Sequence, residues 1–319
     1  MVFPVDVPQT TDEPMASVLR ILQLQGTPLS EYEHANFTGD SLPQARRRVY
    51  GGQVLAQSLL AAAATTPSSR LPHSMHGYFV RSASFDEPIT FEVDQMRDGR
   101  SFSSRHVDAS QGEKTVLSSI FSFQEDQPSL SHDTPAPPEI LATDPQELRS
   151  ALQLFQALDH PLAKFLGKTA AFDVRHVSES IYVGPPSVQE PVQALWMKPR
   201  HAIPAEASQL IHRALLTYVI DEIMMEPVLR AHGLYWMYQG LSLATLDHAM
   251  WYLRDVNIND WLLYVQTTPS AVGSRGLADC KVYTREGVQV ASAMQECMIR
   301  VPLTEEEKQA AQSREAGTL

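Results

Sequence analysis

The chain states its plan twice. Residues 73–81 line up with 246–254, placing Arg81 over Arg254, and residues 112–121 line up, with one gap, with 287–295. Two copies are too few for a solenoid, whose repeats bury a continuous core only by stacking, so the two units must pack side by side. A length of 319 residues suits two ordinary domains.

Each unit reads as one helix with a set of antiparallel strands. Gly51-Gly52-Gln53 leads into the small-residue run 54–64, a helix slim enough to lie close against a sheet. β-rich stretches follow at Phe79, 90–93, 102–107 and 115–123, with turn signals at Asp86-Glu87-Pro88, Asp98-Gly99 and Gln111-Gly112. In the second half a helix over 205–225 is bounded by Pro204 and Pro227. Strands are expected around 243–253, 261–267, 276–284 and 288–300. A long helix wrapped by a curved antiparallel sheet is the hot-dog arrangement, so the expected class is α+β with two hot-dog units in tandem. The expected bounds are a flexible arm at 1–15, a first unit at 16–124 opening on a short helix, and a Pro-, Ser- and Asp-rich linker at 125–165. A second unit at 166–303 and a polar tail at 304–319 complete the chain.

Composition narrows the partners. With 43% hydrophobic and 19% charged residues, the chain has material for a sizeable core. No run of about 18 apolar residues is present, so no membrane-spanning helix is expected, and residues 1–14 lack the basic-then-apolar order of a secretory signal. A formal charge of -12 argues against nonspecific nucleic-acid binding. Cys280 and Cys297 are the only cysteines; they fit a reducing compartment and are too few for a zinc site.

Two residues draw attention on chemical grounds, unequally. Helical spacing puts Asp221 on one face with Ala214, Thr217 and Tyr218, amid Val219, Ile220, Ile223 and Met224. Burying a carboxylate there costs several kcal/mol unless it is paired, but Asp221 and Glu222 read equally well as a solvated helix edge. On the last strand, alternation groups Gln295 with Ala291, Ala293, Cys297 and Ile299. A lone amide on a face of small apolar residues needs partners, from the fold or from a ligand. Thr245 sits in a β-like stretch and by itself carries no weight.

The segments Val49-Tyr50-Gly51-Gly52-Gln53, His73-Ser74-Met75-His76, Arg97-Asp98-Gly99-Arg100-Ser101-Phe102, 243–251 and Met294-Gln295-Glu296 resemble the acyl-CoA thioesterase II family, bacterial and peroxisomal. The resemblance runs in order from about residue 17 to 301. It implies hydrolysis of an acyl-CoA to free acid and coenzyme A, with no cofactor beyond the coenzyme A of the substrate and no metal. It also implies that Asp221, Thr245 and Gln295 jointly hold the attacking water. Phe121 stands where the first unit would carry Gln295, so one site per chain is expected. Gly51, Gly52 and Gln53 are candidates for substrate contact, their backbone for the oxyanion. Arg46, Arg47 and Arg48 are candidates for the coenzyme's phosphates, though they read equally as an exposed basic turn. His73 and His76 are left out as packed strand histidines. Two other readings keep the fold: a thioesterase-like enzyme of a dedicated biosynthetic pathway, and an enoyl-CoA hydratase. The latter is weakened because adjacent Asp247 and His248 point to opposite faces of a strand. The ending Gly317-Thr318-Leu319 is a poor peroxisomal import signal, which leaves cytoplasm as the expectation. Relatives of this kind and exposed sheet edges suggest a homodimer or homotetramer.

Overall fold

The computed structural model describes residues 13–27, 34–45, 48–128 and 130–302. The expected arm, apart from its last residues, and the tail from 304 lie outside them, as do Arg46 and Arg47. The first half comprises helix α1 (Pro14–Ile21), strands β1 (Gln25–Thr27) and β2 (His34–Gly39) and the long helix α2 (Gly51–Ala64). Strands β3 (Arg70–Phe79), β4 (Ile89–Asp98), β5 (Phe102–Gln111) and β6 (Lys114–Glu125) complete it. Short helices α3 (Pro138–Leu141), α4 (Ala151–Ala157) and α5 (Pro161–Thr169) lead into β7 (Phe172–His176) and β8 (Val192–Pro199). The second long helix α6 (Gln209–Ile223) and short α7 (Glu226–Ala231) precede β9 (Ser242–Tyr252), β10 (Leu262–Val272), β11 (Arg275–Tyr283) and β12 (Gln289–Arg300).

The strands form one 12-stranded sheet in the order β1-β2-β4-β5-β6-β3-β9-β12-β11-β10-β8-β7, and each pairing is antiparallel. Six strands come from each half, joined where β3 meets β9. That junction pairs Met75 with Met250 and Gly77 with His248. Laying 73–81 over 246–254 exchanges these two pairs, so the sequence repeat is a pseudo-two-fold axis running between β3 and β9.

Both long helices are buried by their composition. Leu55, Ala56, Leu59, Ala61 and Ala62 of α2 and Ala214, Leu215, Leu216, Val219 and Ile220 of α6 have no exposed surface. Each large side chain so buried contributes ~1.5–3 kcal/mol. The two helices lie against each other, and Gly52 permits it: a Cβ there would stand 2.2 Å from the Tyr218 carbonyl oxygen. Tyr50, just before α2, donates its hydroxyl to that same oxygen at 2.6 Å.

Within the stretch expected as a linker, residues 125–165, the chain takes up helix from Pro138 onward. Ser150 and Gln153 form a reciprocal capping box on α4, and Ala151, Phe155 and Ala163 join the main core. The helix expected over 205–225 begins later, at Gln209, because 204–207 form a turn that closes on the Pro204 carbonyl.

Candidate active site

Asp221 sits in the last turn of α6, where it meets the first turn of α2. Tyr50, the N-cap of α2, supplies no side-chain cap, so the helix begins with unsatisfied N–H groups. Asp221 meets that need from another element: the Gly52 N–H donates to its Oδ2 at 2.8 Å. The positive end of the α2 dipole favours a carboxylate there. A Cβ on Gly51 would fall 2.8 Å from the same oxygen, so both glycines keep this approach open.

The other side of Asp221 is built by β9 and β12. Their ladder pairs Glu296 with Asp247 and then Cys297 with Thr245, leaving Leu246 as an extra residue. This bulge breaks the alternation of β9 and turns Thr245 onto the same inner face as His248. Thr245 then donates to Asp221 Oδ1 at 3.2 Å. Gln295, paired across the ladder with His248, donates from Nε2 to Thr245 Oγ1 at 3.1 Å. Its Oε1 lies 2.7 Å from His248 Nδ1. The structure therefore brings Asp221, Thr245 and Gln295 into one hydrogen-bonded row. Sequence reasoning missed His248 as a member. Its signal was the cross-strand pairing with Gln295, which no local pattern carries.

Burial pushes the Asp221 carboxyl above the usual aspartate range; the adjacent His248 and the donors Gly52, Thr245 and Gln295 oppose this without cancelling it. Burial also lowers the pKa of His248 against the pull of the Asp221 charge. The neighbouring Glu222 is pushed up to about 7 by burial, then by the charges of Glu226 and Asp221.

A cavity of about 360 Å³ opens beside this row, with Gly51 and Thr245 in its wall. Val54, Phe79 and Leu246 give it apolar sides, and Arg48 and Arg81 bring basic groups to it. The Gln53 side chain is turned away from the cavity, which leaves only its backbone for the expected contact with a substrate. It is fully buried and its amide holds the Leu42 N–H, the Asp40 carbonyl, Ser41 and Gln57, so it fastens the preceding loop to α2. The Gly52 N–H, one of the expected oxyanion donors, is taken up by Asp221.

Other polar groups lie elsewhere. His76 stacks edge-on against Trp251 at 5.2 Å, and His73 meets Ser122 and Phe102. Asp247 accepts the Glu296 N–H at 3.1 Å and holds the exposed Tyr78 hydroxyl, on the opposite face of the strand from His248. Among the described residues no three His, Cys, Asp or Glu side chains converge as metal ligands, and no helix is long and apolar enough to cross a membrane.

The pseudo-two-fold axis shows what the first half has in place of this row. Met75 pairs with Phe121 as His248 pairs with Gln295, and Pro72 with Phe123 as Thr245 with Cys297. Met75, Phe121 and Phe123 are all fully buried. The mirror position is packed core with no polar row.

Comparison with known proteins points one way. The family described as "Acyl-CoA thioesterase" matches residues 181–298, and that described as "Acyl-CoA thioesterase N-terminal domain" matches residues 38–124. "Acyl-CoA thioesterase 2" of Haemophilus influenzae is 31% identical, over 85% of this chain and 94% of its own. "Acyl-coenzyme A thioesterase 8" of Homo sapiens is 33% identical, over 80% and 81%. Among solved structures, the acyl-CoA thioesterase II TesB2 from Mycobacterium marinum superposes with a TM-score of 0.71 at 32% identity, covering 89% of this chain and 98% of that one.

Proposed function

The chain belongs to the acyl-CoA thioesterase family and is a thioester hydrolase, and from that premise we propose that it works by direct attack of a water held at Asp221, Thr245 and Gln295. The observation that carries this is the Asp221 carboxylate, fixed by the Gly52 N–H and the Thr245 hydroxyl at 2.8 and 3.2 Å beside a cavity with apolar walls. Asp221 accepts a proton from the water as the oxygen attacks the thioester carbonyl carbon. Its raised pKa makes it a stronger base than an exposed aspartate. Thr245 and Gln295 restrict the geometry of attack, the contribution expected of fixed positioning. The tetrahedral intermediate then collapses, breaking the carbon–sulfur bond. The proton held on Asp221 returns to the departing thiolate, giving free acid and coenzyme A. Negative charge growing on the carbonyl oxygen is favoured by the N-terminal dipole of α2.

The coenzyme's phosphates need local positive charge on a chain of net charge -12. Arg48 and Arg81 at the cavity supply it, and Arg46 and Arg47 extend the basic run outside the described residues. Coenzyme A arrives as part of the substrate and the scheme needs no further cofactor. We place the enzyme in the cytoplasm, as a homodimer or homotetramer.

Free-thiol release by the wild-type protein, across acyl-CoAs from acetyl to palmitoyl, tests this reading. Release from one or more chain lengths is the expected outcome and defines the substrate range. Silence across the whole series contradicts general acyl-CoA hydrolysis and directs attention to a specialised thioester or to enoyl-CoA hydration.

A further inference from the structure

The polar row has a direction, set by its protons. Asp221 accepts from Gly52 and from Thr245. The Thr245 hydroxyl has one proton, so once it donates to Asp221 it can only accept from its other neighbours, the Gln295 amide and the Cys297 thiol. Of these the amide is the nearer, and it must present an N–H, which selects Nε2 of Gln295, 3.1 Å from Thr245 Oγ1 and 3.3 Å from Cys297 Sγ. Oε1 of Gln295 then needs a donor, and what stands 2.7 Å from it is His248 Nδ1. His248 is therefore the neutral tautomer with its proton on Nδ1, leaving Nε2 bare. Nε2 is indeed buried without a partner, a situation a lone pair tolerates better than an orphaned N–H. An imidazolium would put a proton there with nothing to receive it, and burial holds His248 neutral.

We propose that His248 is a positioning residue for thioester hydrolysis: its Nδ1–H locks the Gln295 amide in the one orientation that turns Nε2 toward Thr245 and Asp221. Without that anchor the amide can rotate by half a turn. It then sets Oε1 against Thr245 and the carboxylate, and the donor that orients the water is lost. At the mirror position across the pseudo-two-fold axis, the cross-strand pair is Met75 with Phe121, so anchor and amide are absent together. Both His248 and Gln295 are 1% exposed, which keeps solvent from supplying the missing donor.

The inference rests on Asp221, Thr245 and Gln295 being the hydrolytic site, and its test separates the two. His248→Asn keeps a donor at the δ position, His248→Leu has nearly the same shape without it, and both are compared with Gln295→Ala and with the Gln295→Ala/His248→Leu double variant. Thiol release gives kcat and KM, and melting temperatures verify folding. His248→Leu is expected to lose roughly 10- to 100-fold in kcat with KM changed less than about threefold, the cost of a misplaced group at a reacting centre. His248→Asn is expected to recover kcat to within about threefold. On the Gln295→Ala background His248→Leu should cost nothing more, because it acts only through the amide. Should the Leu variant unfold, His248→Met, the residue at the mirror position, takes its place. Equal losses in Asn and Leu, or a further full loss in the double variant, would overturn the inference. So would a His248→Leu enzyme at wild-type rate while Gln295→Ala is impaired, with the hydrolytic site left standing. A fully active Gln295→Ala would remove the site reading and this inference together.

Discussion

At the scale of residues, Asp221 does two jobs with one carboxylate. It caps α2 through the Gly52 N–H, and burial raises its pKa, which suits the role of base proposed for it. The pH dependence follows from the second. A base works only when deprotonated, so kcat falls as pH drops through the pKa of Asp221. Because burial raises that pKa, the acid limb of a kcat–pH profile should lie clearly above pH ~4, where an ordinary aspartate titrates. A flat profile down to pH ~4 would remove Asp221 as the base. The sequence named this residue only through a family resemblance. Its own surroundings fitted a solvated helix edge as well, because the partner that buries it, Gly52, lies 169 residues away along the chain. Thr245 was less legible still: the bulge at Leu246 turns it inward, and strict alternation would have placed it opposite His248. Gln295 was the reverse case, since its small apolar neighbours marked the inner face from sequence alone.

At the scale of elements, the apposition of α2 and α6 is what assembles the site, and Gly52 is the point where it is tightest. In Gly52→Ala the new Cβ would lie 2.2 Å from a backbone oxygen, which cannot swing away as a side-chain end can. The helices must separate, at a cost of ~1–3 kcal/mol as for other overpacked interiors. The variant should therefore show both a lower melting temperature and a lower kcat; unchanged values for both would mean that the helices do not set the site. The acidic sequence Asp221, Glu222 and Glu226 makes a second prediction. Glu226 is pushed up by burial, but the His176 charge and the donors His176, Trp236 and Gln193 outweigh this and hold it below the usual range. Glu222, raised to about 7, behaves in the opposite sense. Between the ordinary glutamate value and about 7 the unfolded chain releases this proton while the folded protein retains it, so stability falls as pH rises through that window. Glu222→Gln removes the penalty, worth at most ~3 kcal/mol for a shift from about 4.5 to about 7. Its melting temperature should exceed the wild type's at pH 8 and match it near pH 4. An equal difference at both pH values would show that ionisation of Glu222 is not the cause.

At the scale of the whole molecule, the duplication was readable because residues of β3 and β9 repeat. Composition, proline bounds and turn signals predicted the two long helices and most strands of both units. What the repeat could not show is that the two sheets fuse into one through the β3–β9 pairing, since cross-strand partners leave no local pattern. Nor did periodicity reveal β7 and β8, which follow the short helices α4 and α5 at one edge of the sheet. The stretch read as a linker is one only near its start, where Leu130 is 99% exposed. Fusion has a consequence for proteolysis. A single cut near Leu130 severs the covalent link, but the β3–β9 ladder, the Tyr50–Tyr218 hydrogen bond and the Gly52–Asp221 contact still hold the halves together. The nicked protein should elute at its original size and keep its activity; separation into two fragments under native conditions would contradict the fused sheet.

The central claim is that a water held at Asp221 performs the hydrolysis, and single-turnover thiol release by Asp221→Asn tests it most directly. Asparagine keeps an oxygen to accept the Gly52 N–H, so the α2 cap and the fold should persist, with acyl-CoA affinity close to that of the wild type. The rate should fall by about 10³-fold or more, at the upper part of the range for loss of a general base. A folded Asp221→Asn enzyme that binds acyl-CoA and releases thiol at the wild-type rate would contradict the account.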